Sequence, residues 1–120
     1  GLQFAVPEEG ALLWTDNMCI PTGAEHPVDA ITYMDYVYQP PVAAMIEEWN
    51  NYICPVPSAK DVVLADAAEP GADKTYLTNV ANSTLVFPSP EEMAKFRTYR
   101  LLTEQEEVDW NTLFQPIYQG

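Results

Sequence analysis

The residues with the clearest chemical potential are an aromatic and an acidic side chain two positions apart, Trp14 and Asp16, and a tyrosine further along, Tyr52. Side chains two apart on an extended segment point the same way, so Trp14 and Asp16 can face one cleft. There a protonated amine would find a carboxylate for charge-assisted hydrogen bonds and an aromatic face that attracts the same cation. Flat rings also supply apolar walls for a methylene chain. The three residues are therefore candidates for binding a small organic cation.

The same residues also fit ordinary structural roles. Trp14 suits a core, Asp16 suits a turn cap, and Tyr52 suits the sealing of a helix end. The spacing of these three residues alone therefore does not decide between a ligand-binding role and a structural role.

Catalytic machinery finds little support in the sequence. The single histidine, His26, stands directly before a helix-starting proline, where a cap or surface role is the ordinary one. The chain has no glycine-rich phosphate loop, no nucleophile-elbow serine and no histidine–cysteine cluster with zinc spacing. We therefore predict a protein that is not an enzyme and that needs no cofactor and no metal.

The charge balance limits the classes of molecule that the protein is expected to bind. Eighteen acidic and five basic residues give a formal net charge of −13. Nucleic acids and anionic lipid surfaces both need lysine and arginine clusters, so neither is an expected partner. A cationic ligand is permitted, although acidic surfaces usually serve solubility. The 48% apolar content indicates a packed core.

Helices outnumber strands in the predicted pattern, and eleven prolines favour short elements with sharp ends. Extended segments are predicted at 2–6 and 11–20. Spacing and capping residues predict helices at 27–38, 40–50, 58–68 and 73–80, a helix that begins at Ser89, and a last helix that begins at Thr103 and ends near Pro116.

Helical spacing also predicts which side chains face the core. In the first two helices the expected stripes are Val28, Ile31, Met34 and Val37, then Val42, Met45, Ile46 and Trp49, with Glu47 and Glu48 pointing outward. In the later helices the expected buried residues are Val62, Val63, Leu64, Met93, Phe96, Val108, Leu113 and Phe114.

Two further features are the pair of cysteines and the start of the chain. Cys19 and Cys54 are read either as small buried thiols or as a disulfide, which would suit an exported protein. The chain starts with Gly and contains neither an export signal nor an apolar run of about 18 residues. We therefore expect a piece of a longer protein.

Several stretches together carry a family resemblance. Residues 6–21 contain a Pro-x-Glu-Gly turn, then Trp-x-Asp, then Ile-Pro, and resemble the hinge-crossing strand of bacterial spermidine/putrescine-binding proteins, in the family of extracellular solute-binding proteins of ABC transporters. Residues 30–43 resemble the helix pair of that family, and residues 51–57 resemble its tyrosine-containing loop. Residues 114–118 are similar to the end of its closing helix.

The resemblance implies a fold. It implies the C-terminal portion of a type II periplasmic-binding-protein-like α/β fold, helix-rich with a few short strands. Residues 1–14 would hold a strand of lobe 2 and the hinge crossing. Residues 15–57 would belong to lobe 1, and residues 58–120 would return to lobe 2 with the C-terminal helices.

The resemblance also implies roles for individual residues. Trp14 matches an aromatic that packs on the polyamine chain, Asp16 matches a carboxylate that holds one amine, and Tyr52 matches a cleft tyrosine. The two cysteines depart from the general pattern and suggest a subgroup with a bridge from Cys19 to Cys54. Other ligand residues of the family lie upstream of this chain.

The function implied is capture of spermidine or putrescine in the periplasm or at the outer cell surface, with delivery to the permease of an ABC import system. Two alternatives remain. The chain could be a structural or interaction fragment without a ligand, with self-association as a route to order. It could also serve another small cation or solute through the same fold.

Overall fold

The computed structural model describes residues 5–119. Their contacts form two compact units, one of residues 5–14 and 96–119 and the other of residues 15–95. The chain is helix-rich with two short strands. In chain order the elements are β1 (Ala11–Leu12), α1 (Pro27–Val37), α2 (Pro40–Asn50), α3 (Ala59–Asp66), α4 (Lys74–Asn82), α5 (Pro90–Met93), β2 (Phe96–Arg97) and α6 (Glu104–Tyr118).

The helices of the 15–95 unit begin where local chemistry starts them. Pro27 and Pro40 occupy the first turns of α1 and α2, where a missing N–H costs nothing. Asp73 caps α4 by accepting a hydrogen bond from the Tyr76 N–H at 3.0 Å. A capping box begins α5 at Ser89, although this helix has only four residues. The predicted helices of this part of the chain are therefore confirmed.

The core of this unit lies among α2, α3 and α4 and consists of small side chains. Its buried members are Ala43, Ala44, Cys54, Ala59, Val63, Val80, Ala81 and Val86. Val63 and Val86 are its largest fully buried side chains among the described residues. Because the separation of packed helices depends on the side chains between them, an alanine-rich contact brings the backbones close together.

The buried face of α2 differs from the prediction. Ala43, Ala44 and Glu47 are buried, whereas Met45 is exposed and Trp49 is 90% exposed. The alanine face is the one against which α3 and α4 pack, so the predicted Met45–Trp49 stripe faces away from this core. The expectation that Glu47 points outward is therefore wrong.

The predicted stripe of α1 is also not buried within the described residues. Val28 and Ile31 are exposed, and Met34 and Val37 are half-buried. This helix packs against α2. On α3 only Val63 of the three predicted core residues is fully buried.

The other unit joins the two strands in parallel. Ala11 pairs with Phe96 and Leu12 with Arg97, and the Leu13 N–H donates to the Arg97 carbonyl at 2.8 Å. The predicted strand over 11–20 is therefore too long, because its partner strand has only two residues. The strand at Phe96 was predicted as helix, and the extended segment predicted at 2–6 lies largely outside the described residues.

The last helix, α6, begins as predicted. Thr103 and Glu106 form a capping box, and the Arg100 guanidinium donates to both Glu106 oxygens at 2.6 and 3.1 Å. The helix ends at Tyr118, two residues beyond the predicted stop at Pro116. Pro116 has no N–H to donate, and the helix ends two residues after it.

The compact units do not follow the predicted boundary after Pro57. They share the predicted boundary after Trp14, but the larger unit extends to Lys95 because α2, α3 and α4 form one core. The assignment of residues 1–14, 15–57 and 58–120 to lobes stays a prediction. None of the helices within residues 5–119 combines the length and the apolar character needed to cross a bilayer.

Two carboxyl groups of α2 make the stability of the larger unit depend on pH. Burial raises the pKa of Glu48, and the neighbouring Asp66 carboxyl raises it further. Burial likewise raises the pKa of Glu47. Both groups therefore bind protons more tightly in the folded state. Their stabilising contribution is fully present below the ordinary pKa of 4.5 and is lost as the pH rises through the raised values.

We therefore expect the chain to unfold at higher urea concentration at about pH 5 than at about pH 7, and Glu48→Gln to be stabilising at about pH 7. Urea unfolding followed by circular dichroism measures both effects. Glu106, whose pKa Arg100 lowers to about 2, changes its contribution only at lower pH. Glu25→Gln, at an exposed position before α1, is the matched control. A Glu48→Gln chain no more stable than this control would contradict the assignment.

Candidate functional site

Tyr52 lies on the loop that follows α2. Asn51 takes a left-handed conformation with φ of 58°, and its N–H donates to the Glu47 carbonyl at 3.0 Å. The Tyr52 N–H donates to the Asn50 side-chain oxygen at 2.9 Å. Tyr52 as a whole is 70% exposed. The backbone is therefore fixed at the point from which this ring projects.

Hydrogen bonds to Tyr76 and Val86 hold the loop and the end of α2 against the rest of their unit. The Tyr76 hydroxyl of α4 donates to the Glu48 carbonyl at 2.6 Å and accepts from the Asn51 amide at 2.9 Å. Three residues after Asn51, the Cys54 N–H donates to the Val86 carbonyl at 2.8 Å. The loop is thus anchored on both sides of Tyr52.

Beneath the loop lies a buried acidic group. Glu47 is 4% exposed, and its Oε2 atom has no hydrogen-bond partner among the described residues. Burial raises the pKa of Glu47, and this effect outweighs the lowering by the nearby Tyr52 N–H and Cys54 thiol. Burial also raises the pKa of the Cys54 thiol, and the negative charge of Glu47 adds to that rise. The Cys54 thiol therefore loses its proton less readily than an ordinary cysteine and is a weaker nucleophile.

Asp16 lies on the irregular segment between β1 and α1. It is exposed and makes no hydrogen bond or ion pair with any residue from 5 to 119. Its neighbours are tied locally, since the Asn17 amide donates to the Thr15 carbonyl and hydroxyl at 3.3 Å. The Asp16 carboxylate is therefore open to a solute.

A groove of about 280 Å³ opens shortly after Asp16 in the chain. Its walls come from the segment before α1 and from α1 itself, and they are Met18, Cys19, Ile20, Ala30, Tyr33 and Met34. Most of these side chains are apolar. The groove therefore offers a surface for methylene groups rather than for charge.

Trp14 belongs to the other compact unit. It follows β1 and is 63% exposed, so it is not a core residue. It makes no hydrogen bond to a residue of the described range. A cleft that Trp14 shares with Asp16 remains a prediction, and so do the ligand roles of both residues.

Cys19 and Cys54 are not paired in the structure, although the resemblance implied a disulfide between them. Both are free in the structure, with Cys19 exposed and Cys54 buried. The Cys54 thiol lies 3.2 Å from the Val56 carbonyl, inside the core that packs against Val86. In this structure no bridge joins Cys19 to Cys54.

Sequence reasoning missed Glu47, Tyr33 and Met34. Helical spacing placed Met34 in the core, whereas it is half-buried and lines the groove. Glu47 looked like half of a solvated acidic pair. Its only signal was its position one turn before the Tyr52 loop, where a side chain can reach the backbone of the residues that follow. No group of three or more acidic, histidine or cysteine side chains within residues 5–119 is placed to hold a metal.

Residues 1–84, well over half of the chain, match the family of bacterial extracellular solute-binding proteins. The chain therefore belongs to that family, whose members in general are not enzymes.

The curated relatives are polyamine-binding proteins by name. A spermidine/putrescine-binding periplasmic protein of Salmonella typhimurium is 26% identical over 118 residues, which is 98% of this chain and 29% of the relative. The protein of the same name in Salmonella typhi matches equally. A putrescine/agmatine-binding protein of Pseudomonas aeruginosa is 31% identical over 51 residues, covering 42% of this chain and 14% of the relative.

The chain thus spans less than a third of the length of these curated relatives. No solved structure matches it significantly.

Proposed function

We propose that this chain is a portion of the polyamine-binding component of an ABC import system, with spermidine or putrescine as ligand. The observation that carries the proposal is the alignment of 98% of the chain with relatives named for binding these two amines. The proposal includes the finer fold assignment, the C-terminal part of a type II periplasmic-binding-protein-like fold. A match to 29% of the relative is compatible with such a portion.

The chemistry of the exposed residues supports the proposal. Asp16 would accept charge-assisted hydrogen bonds from one ammonium group, since no described residue occupies its carboxylate. The faces of Trp14 and Tyr52, both more than half exposed, would attract the cation and cover its methylene chain. The net charge of −13 favours the approach of a dication.

Binding and release describe this role, and no catalytic step is part of it. The partner would be the permease of the import system, and the place of action would be the periplasm or the outer cell surface. The names of the Salmonella relatives include the word periplasmic, which supports this location.

A fluorescence titration with spermidine and putrescine tests the proposal. We expect both amines to change the emission of Trp14 because the ligand lies against its indole. Trp14→Phe, which keeps an aromatic ring, should abolish the change, whereas Trp49→Phe and Trp110→Phe should preserve it. Sodium chloride at matched ionic strength controls for screening. Saturating polyamine that leaves the emission unaltered would argue against Trp14 as a ligand residue.

A further inference from the structure

The groove between α1 and the segment that precedes it has no acidic or basic residue in its walls. Its volume is about 280 Å³, and the residues that line it are Met18, Cys19, Ile20, Ala30, Tyr33 and Met34. This volume lies just below the range of about 300–1,000 Å³ that is usual for pockets of drug-sized molecules. A charged group that entered the groove would lose its hydration without gaining an oppositely charged partner. The groove therefore suits a short hydrocarbon group.

Covering the groove would remove apolar surface from water. Met18 and Tyr33 are exposed, and Met34 is half-buried. Each methylene group that moves from water onto such a surface contributes free energy, which corresponds to a gain in affinity of about fourfold. A hydrocarbon arm in this groove should therefore bind more tightly as it becomes longer, until the groove is filled.

The charge that the surrounding sequence supplies is negative. Residues 15–37, which provide both walls, contain four carboxylate side chains, and the chain has no lysine or arginine before Lys60. Asp16 precedes the wall residue Met18 by two positions, and two residues of backbone span at most about 7 Å. Both residues belong to the same compact unit. A cation held by Asp16 would therefore lie close to the groove.

Asp16 is the carboxylate that best fits an anchoring role. It is exposed, and neither a hydrogen bond nor an ion pair joins it to another residue of the described part of the chain. Asp29, in contrast, lies 3.9 Å from the His26 Nδ1 atom. On α1, Asp29 and Asp35 also lie about 100° or more around the helix from the centre of the face that lines the groove. Asp16 thus combines an open carboxylate with a place beside the groove along the chain.

We propose that Asp16 and the groove together bind a primary alkylammonium ion. The ammonium group donates hydrogen bonds to the Asp16 carboxylate, and the uncharged hydrocarbon arm lies in the groove. The arm of an amine between butylamine and hexylamine in length covers the distance from Asp16 to the Met18 wall. This ligand class goes beyond the proposed function, because a polyamine would place a second charge where the groove offers it no partner.

The four methionines of the chain provide an internal comparison for a binding experiment. Met18 and Met34 line the groove, whereas Met45 and Met93 do not. In a methyl-labelled chain followed by nuclear magnetic resonance, hexylamine should shift the methyl signals of Met18 and Met34 and leave those of Met45 and Met93 in place. Equal shifts of all four signals would indicate non-specific association and would overturn the proposal.

A series of amines tests the chemistry of the ligand. From butylamine to pentylamine, and again to hexylamine, the affinity should rise about fourfold at each step. Hexanoate, which has the same arm length and the opposite charge, should not bind. Putrescine, which adds a second ammonium group to butylamine, should leave the Met34 signal unshifted. The proposal fails if affinity is independent of chain length, if hexanoate binds as well as hexylamine, or if putrescine shifts the Met34 signal as butylamine does.

Two pairs of variants assign the roles of the wall and of the anchor. Met18→Ser should reduce the gain in affinity per methylene to less than about twofold, whereas Met45→Ser, at another exposed methionine, should preserve it. Asp16→Asn should weaken the binding of all three amines by a common factor of about ten, and Asp35→Asn should not. If circular dichroism shows that Met18→Ser does not fold, Tyr33→Ser replaces it. Identical behaviour within either pair would contradict the proposed site.

The same titrations keep this site apart from the proposed function. Binding in the groove requires neither Trp14 nor Tyr52, because its walls and its anchor lie within residues 16–34. If hexylamine binds as expected but spermidine and putrescine do not bind, only the proposed function fails. If the polyamines bind and require Asp16, but no alkylamine shifts the Met18 and Met34 signals, only the alkylammonium site is overturned.

Discussion

Asp16→Asn is expected to weaken the binding of spermidine or putrescine at least about tenfold in the full-length protein, which corresponds to about 1.4 kcal/mol. Asparagine keeps the shape and one acceptor oxygen but removes the charge. A hydrogen bond to a charged partner contributes about 1.5–3 kcal/mol, so losing the charge alone accounts for this effect. Isothermal titration calorimetry measures it directly.

The control for this prediction is another exposed aspartate of the same unit. Asp35→Asn on α1 removes the same formal charge, so it reports the general loss of electrostatic attraction. We expect its effect to be less than about twofold at physiological salt. Equal affinities for Asp16→Asn and the unaltered protein would remove Asp16 from the site.

Val63→Asp is expected to unfold the 15–95 unit or to destabilise it by at least about 3 kcal/mol. Val63 is completely buried in the hydrophobic cluster among α2, α3 and α4, which contains no cationic side chain to pair with a carboxylate. A domain is stable by only about 5–15 kcal/mol, so one unpaired buried charge removes a large part of that margin. Loss of helical circular dichroism, or a lower urea midpoint, measures the effect.

Leu64 is the matched control because it is the next residue of the same helix and is 39% exposed. Leu64→Asp introduces the same charge at a position that water reaches, so its cost should be smaller by at least about 2 kcal/mol. Equal destabilisation by the two substitutions would show that the alanine-rich contact is not the core on which this unit depends.

Where the helices begin could be predicted from sequence because the causes are local. Pro27 and Pro40 suit first turns wherever the helix later packs, and Thr103 finds its glutamate partner three residues ahead. The family resemblance could also be recognised from the sequence, because it depends on the order of short motifs and not on their contacts. The comparisons confirm it for residues 1–84.

The pairing of β1 with β2 could not be predicted in the same way. Two residues at Ala11–Leu12 pair with two at Phe96–Arg97, which lie 85 positions further along the chain. Such short segments carry no alternation that would distinguish a strand, and a parallel partner can lie anywhere in the sequence.

Sequence by itself determined where most helices begin, the acidic character of the chain and the family to which it belongs, since each follows from neighbouring residues or from composition. Tertiary structure alone decided which face of α2 is buried. Apolar spacing favoured Met45 and Trp49, but α3 and α4 approach the alanine face and enclose Glu47 with it. Burial depends on what packs opposite a residue, and that partner is absent from any local pattern.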